Sequence, residues 1–245
     1  MALHGKQRLG LLTPSQNTTM EDDFTRWMPE SVRMHVNRLY SAPDRGSFAE
    51  GLQAMGDRVE ETARIISNVP LDVIAFGCTS GSFLNGLGYD LDIIRRIEGA
   101  SGGVKTVATA RAVIDALKAL GVKKLAASSP YPEDINKRLR QFLVDAGFEL
   151  VSFDNVEASD RGGIDALQPE VALELGKSVN RPEADAIFIS CTAFRAAEVI
   201  DELEKETGKP VVTSNQATFW ACMRALEVEE SIPGAGKLLK EHVPA

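Results

Sequence analysis

The sequence predicts an α/β fold of two similar lobes with parallel sheets, related by an approximate two-fold axis, with the functional site in the cleft between them. Three observations carry this. Short apolar runs that stop at small polar residues alternate with helix-length amphipathic stretches, the pattern of βα units. That pattern restarts near residue 121, so residues 1–120 form an N-terminal lobe and residues 121–245 a C-terminal lobe, with the C-terminal segment free to pack back on the first. Finally, two stretches match: Ala75-Phe76-Gly77-Cys78-Thr79-Ser80 and Phe188-Ile189-Ser190-Cys191-Thr192-Ala193, each behind an apolar run with an acid at its start, Asp72 in one and Asp185 in the other. A strand–loop–helix order repeated twice makes each lobe Rossmann-like.

The elements follow in order. Leu9 to Thr13 reads as a strand and Pro14 to Thr19 as a polar loop, with Thr18 or Thr19 placed to cap a helix that starts at Met20 and carries acids in its first turn. Val32 to Tyr40 reads as a strand. Leu52, Met55, Val59, Ala63 and Ile66 recur at helical spacing and predict one helix over 48–69. The Cys78 strand comes next, then a helix over 89–97, a strand over 105–108 and a helix over 110–120. The second half runs as a strand to Ser128, a helix over 133–146, a strand over 149–156 and a helix over 169–179. It continues with the Cys191 strand, a helix over 196–207, a strand over 210–213, a helix over 216–226 and a short helix over 237–242. Pro14 precedes Cys78 by nearly the same chain length as Pro130 precedes Cys191, and Ala116 to Leu120 resembles Cys222 to Leu226.

Composition narrows the function. The chain has 245 residues, 44% hydrophobic and 25% charged, enough for a core that needs no disulfides. A net charge of -8 without a basic stripe argues against nucleic acid as a partner. Three cysteines without scaffold spacing point to a reducing compartment, and the N-terminus has no signal-peptide pattern. No apolar run approaches the roughly 20 residues that span a bilayer. The expected setting is cytoplasmic, away from membranes; homo-oligomerisation stays open.

Ligands of open α/β sheets bind beyond the carboxyl ends of the strands. Cys78 and Cys191 therefore belong at loop mouths, on opposite walls of one pocket. Two facing thiols can move a proton from one face of a carbon to the other, or one can add to an activated double bond while the other handles the proton. A helix N-terminus would lower a thiol's pKa. Charge building on a carboxylate needs fixed donors: Thr79, Ser80, Tyr131 and the backbone amides of Thr192 and Ala193 are available, with Asn17 to hold a second carboxylate. Cys222 falls inside a helix pattern and reads as core; Arg195 reads as a substrate ligand or, equally, a surface arginine. The three histidines, His4, His35 and His242, lie outside the strand-end loops, which disfavours a Cys–His hydrolase. No metal-ligand spacing, dinucleotide fingerprint or P-loop is present, so no cofactor is expected.

At these residues the sequence resembles the aspartate/glutamate racemase superfamily, in the branch of maleate cis–trans isomerases and arylmalonate decarboxylases, over nearly the whole chain. Pro14 to Thr19 is similar to the N-terminal substrate loop of the isomerases, which implies Pro14 and Asn17 as substrate-binding residues. Pro130-Tyr131 resembles the loop tyrosine of both groups. Thr79 to Phe83 and Tyr131 to Leu139 are close to the decarboxylases, in which the Thr-Ser pair and the tyrosine bind an enediolate. Ile232 to Leu239 is similar to the isomerase C-terminus. The decarboxylases have a Gly where this chain has Cys78, so both thiols together imply isomerase or racemase chemistry on a small carboxylate or dicarboxylate. The resemblance implies Cys78 as nucleophile and Cys191 as acid/base. The isomerases carry apolar residues at Thr79-Ser80 and an Asn where Asp160 falls, and a negative charge there opposes a dicarboxylate. A malonate-type decarboxylase that uses Cys191 as proton donor, and a carboxylate-binding module without turnover, are the alternatives.

Overall fold

The computed structural model describes residues 6–41, 46–158 and 163–241. Two four-stranded parallel sheets form it. The first has the order β2-β1-β3-β4, from β1 (Gln7–Pro14), β2 (Val32–Leu39), β3 (Val73–Phe76) and β4 (Lys105–Ala108). The second repeats it as β6-β5-β7-β8, from β5 (Lys124–Ser129), β6 (Glu149–Asn155), β7 (Ala186–Ile189) and β8 (Val211–Thr213). The inner strands β3 and β7 are buried at every residue, as expected where helices cover both faces of a parallel sheet.

The repeat extends to register. Leu9 pairs with Val73 and Ile74 with Thr106; Leu125 pairs with Ala186 and Ile187 with Val211. The matched acids have matched jobs: Asp72 Oδ2 accepts from Arg8 N at 2.7 Å, and Asp185 Oδ2 from Lys124 N at 2.7 Å. Past the strands, Gly77 N donates to Leu12 O at 2.7 Å and Ser190 N to Ser128 O at 2.8 Å. One residue further on in each lobe comes a cysteine, so Cys78 and Cys191 occupy equivalent positions.

The helices are α1 (Thr19–Trp27), α2 (Phe48–Gly56), α3 (Val59–Ile66), α4 (Thr79–Phe83), α5 (Tyr89–Ala100), α6 (Thr109–Ala119), α7 (Glu133–Asp145), α8 (Pro169–Val179), α9 (Ile200–Thr207), α10 (Ser214–Ala225) and α11 (Gly236–Glu241). Three expectations need correction. The helix expected over 48–69 is two, α2 and α3. Arg96 from α5 enters the break, donating to Gly56 O at 2.7 Å and gripping Glu60 with two 2.7 Å bonds, so an external donor replaces the helix's own. Neither Thr18 nor Thr19 caps α1; Asn17 Oδ1 accepts from Met20 N at 3.1 Å instead. The helix expected over 196–207 opens as a 3₁₀ turn, Ala197–Val199.

The lobes join through α6 and α10, which pack on each other and are equivalent in the repeat. Nine of the twelve residues of α10 are buried, since it lies between the lobes. Its Phe219 meets Phe24 of α1 edge-on at 5.1 Å, and Gln7 Nε2 donates to Leu226 O at 2.7 Å. Phe219 and Leu226 thus touch the first lobe, and Cys222 is core.

Gly77 leaves no room for a side chain: a Cβ there would lie 2.5 Å from Met20 Sδ and 3.2 Å from Leu12 O. Gly77→Ala is expected to destabilise the fold by about 1–3 kcal/mol, read as a lower urea midpoint at unchanged m-value.

Candidate active site

Cys78 follows β3 and is the N-cap of α4; its sulfur accepts from Gly81 N at 3.3 Å and lies 3.9 Å from Ser80 Oγ. Gly81 is closely packed: a Cβ there would lie 3.0 Å from Cys78 Sγ and 2.7 Å from the end of Met55, so one of them would have to shift. Ser82 Oγ donates to Cys78 O at 2.7 Å and accepts from Ala110 N at 3.0 Å, tying the turn to α6. This one-turn helix was not legible in Thr79-Ser80-Gly81-Ser82-Phe83, whose small polar residues have low helix propensity.

Cys191 is held differently. Its φ is +107°, a conformation that costs a non-glycine residue about 1–3 kcal/mol. The surroundings hold it there. Cys191 N donates to Ser214 Oγ at 3.0 Å, and Asn215 Nδ2 donates to Thr192 O at 3.0 Å and to Asp23 Oδ2 at 2.7 Å. Burial pushes Asp23 up to about 6, against the lowering effect of the Asn215 bond.

The two cysteine segments are stitched across the lobe boundary. Thr192 Oγ1 donates to Gly77 O at 3.2 Å and accepts from Asn17 Nδ2 at 3.0 Å. Thr79 Oγ1 donates to Ser214 Oγ at 2.8 Å, and Thr19 Oγ1 to Ala193 O at 3.1 Å. These bonds occupy side-chain atoms of three residues named from the sequence. Asn17 spends its carbonyl on α1 and one N–H on Thr192, Thr192 spends its hydroxyl on Gly77, and Thr79 spends its proton on Ser214. Ser80 Oγ lies beside Cys78, and the Tyr131 hydroxyl and the Ala193 amide lie beside Cys191.

A cavity of about 700 Å³ opens between the lobes. Cys78 and Cys191 both line it, together with Pro14, Asn17, Thr79, Ser80, Tyr131, Thr192 and Ala193. Asp160 lies outside the described residues. Sequence reasoning missed Asp165, Glu157 and Ser47, and it used Leu52 and Met55 only as helix spacing, though they line the cavity with Phe48. Nothing local marks these residues: Ser47, Leu52 and Met55 arrive with α2, Glu157 and Asp165 from the segment after β6. Arg195 is not at the cavity: it pairs with Glu198 at 2.7 Å and bonds Gln168 at 3.2 Å. Tyr131 is 1% exposed, its phenol accepting from Ser190 Oγ at 3.3 Å and its carbonyl from Asn136 Nδ2 at 2.7 Å. Among the described residues no cluster of His, Cys, Asp and Glu is arranged to hold a metal ion.

Neither thiol is acidified, contrary to the helix-terminus expectation. Burial pushes Cys78 up to about 11, with Gly81 N–H and Ser80 opposing. Burial pushes Cys191 up to about 12; the Ala193 amide and Tyr131 oppose, and the nearby Cys78 and Asp165 add to the rise. Burial also holds Tyr131 well above the usual phenol range. Desolvation outweighs a few hydrogen bonds here because a thiolate loses its water on all sides. Both sulfurs therefore rest as neutral thiols at pH 7. Iodoacetamide labelling of either cysteine, followed by mass spectrometry, is expected to speed up about tenfold per pH unit from 7 to 10, without levelling at the free-thiol pKa of about 8.5.

The site belongs to a known group of proteins. Residues 14–239 match the family model for arylmalonate decarboxylase. The arylmalonate decarboxylase of Bordetella bronchiseptica is 31% identical over 240 residues, covering 95% of this chain and 96% of that protein. A maleate isomerase of Pseudomonas putida is 27% identical over 244 residues, covering 95% and 96%. The solved structure of a cysteine-to-alanine variant of maleate isomerase from Pseudomonas putida S16, with maleate, is similar at a TM-score of 0.89 and 26% identity, covering 95% of this chain and 97% of that one. With two matching four-stranded parallel sheets and a cysteine at the same strand end in each, the chain belongs to the arylmalonate decarboxylase family.

Proposed function

We propose that this chain is a cofactor-independent isomerase, maleate cis–trans isomerase-like, that acts on a small carboxylate or dicarboxylate through its two cysteines. One observation carries the reading: register-equivalent thiols from the two lobes line a single cavity furnished with hydroxyl and amide donors. Kinship with maleate isomerases over nearly the full chain supports it.

The reactive form of the pair carries one proton between two sulfurs. Gly81 N–H and Ser80 favour the charge on Cys78. In the addition route, Cys78 thiolate forms a C–S bond at one alkene carbon and the π pair moves onto the other alkene carbon and the carboxylate it carries, as an enediolate. Ser80, Tyr131 and the Thr192–Ala193 amides face that charge. The Cys191 thiol then protonates the second carbon, rotation about the new single bond follows, and the Cys191 thiolate takes a proton back as the C–S bond breaks. In a racemisation the sulfurs instead exchange roles with substrate handedness. The reading includes a cytoplasmic setting, supported by three free cysteines; no described helix is long and apolar enough to cross a membrane. It names a small carboxylate as the partner and takes neither nucleic acid nor membrane as one.

A second reading, decarboxylation of a malonate-type acid, is favoured by the Ser80 and Tyr131 hydroxyls in the cavity and by the 31% identity to a decarboxylase. There Cys191 alone returns the proton.

Proton–deuterium exchange in heavy water across maleate, amino acids and malonates, followed by NMR, is expected to place label at a carbon beside a carboxylate; no label on any of them leaves the binding-module reading standing. Cys78→Gly and Cys191→Ala divide the enzymatic readings. Two-thiol chemistry predicts that each lowers turnover by about 10²–10⁴-fold. Decarboxylation that survives Cys78→Gly and stops with Cys191→Ala identifies the second reading.

A further inference from the structure

We infer that Ser214 is a positioning residue that sets the placement of the Cys191 thiol relative to Cys78. The inference rests on the two-thiol reading and extends it to a residue outside the cavity lining. Ser214 is the first residue of α10, fully buried, behind the cysteines. Its Oγ accepts from two sources at once: Cys191 N of its own lobe at 3.0 Å and Thr79 Oγ1 of the other lobe at 2.8 Å. Thr79 adjoins Cys78. A single oxygen thus links the backbone of one cysteine to the neighbour of the other.

The repeat shows that this arrangement is not a by-product of the fold. Strand register makes Thr109, the first residue of α6, the counterpart of Ser214. Thr109 Oγ1 donates to Phe76 O at 3.0 Å and accepts from Thr218 Oγ1 of the other lobe at 3.0 Å, so it too crosses the boundary, but it bonds neither Cys78 nor a neighbour of Cys191. Cys78 is instead held by Gly81 and Ser82, at ordinary backbone angles. Cys191 is the cysteine with φ at +107°, and Ser214 is the side chain that accepts its N–H. Without that acceptor the buried N–H loses its partner and the strained peptide has a route to relax. Relaxation moves the sulfur, and a displacement of about 1 Å between reacting groups costs on the order of 10²-fold in rate.

Two variants test this. Ser214→Ala removes the acceptor; Ser214→Thr keeps it, in a position where the first lobe already accommodates threonine. The readout is the iodoacetamide labelling rate of each thiol in the same sample, resolved by mass spectrometry. Ser214→Ala is expected to speed labelling of Cys191 at least tenfold while Cys78 stays within twofold, and Ser214→Thr to return Cys191 close to its original rate. With a substrate in hand, kcat is expected to fall about 10²-fold in Ser214→Ala at nearly constant KM. Equal acceleration of both thiols means that the lobes have simply loosened, and overturns the inference; so does a Cys191 rate that is unchanged or lower. Labelling needs no turnover, so a failure of the isomerase reading shows separately, as a wild-type protein that exchanges no label into any carboxylate.

Discussion

The structure depends on hydrogen bonds that cross from one lobe to the other beside the two cysteines. Thr192 reaches the carbonyl of Gly77, and Thr79 reaches Ser214. Each bond joins a residue adjacent to one sulfur to an anchor in the opposite lobe. Buried polar groups seldom go unpaired, so the two lobes have few other relative placements that satisfy these atoms. The packing of α6 on α10 brings the lobes together; the polar ties set how far apart the cavity walls stand. Apolar contact alone would tolerate sliding, because it is non-directional.

That placement has an electrostatic consequence. A cavity roofed by two lobes removes water from both sulfurs, and both thiols become weak acids. The site is then poised for chemistry in which charge is made transiently and shared. Donors that pre-exist at the cavity wall matter more in such a place than in water, since the local dielectric is low and they need not reorganise. The asymmetry between the cysteines fits a division of labour: Cys78 sits at ordinary angles under an amide and a hydroxyl, while Cys191 is held in a strained turn beside the Tyr131 phenol.

The legible parts of the site share one property: their signal is local. The runs before Cys78 and Cys191 are parallel strands because continuous apolar residues ending at small polar ones need no distant partner to be recognised. Asp72 and Asp185 stand out for the same reason, and each does cap its neighbouring strand. The illegible parts depend on partners remote in sequence. The 48–69 helix breaks where Arg96 supplies a donor from another element. Asn17 takes the capping role from Thr18 because its side chain is also fastened by Thr192, in the other half of the chain. The positive φ of Cys191 has no sequence signature, since cysteine does not favour it.

The sequence by itself determined the βα order, the doubling of the lobes and the placement of a cysteine at the same strand end in each. Hydrophobic periodicity and turn chemistry encode these over a few residues at a time. Only the tertiary structure decided which hydroxyls are free to serve a ligand, how acidic the sulfurs are, and that Arg195 faces away from the cavity. The first two are set by desolvation and by hydrogen bonds such as Thr79–Ser214 and Thr192–Gly77, between residues more than a hundred positions apart, which exist only once the two lobes close on each other; Arg195 is turned aside by Glu198 and Gln168 of its own lobe.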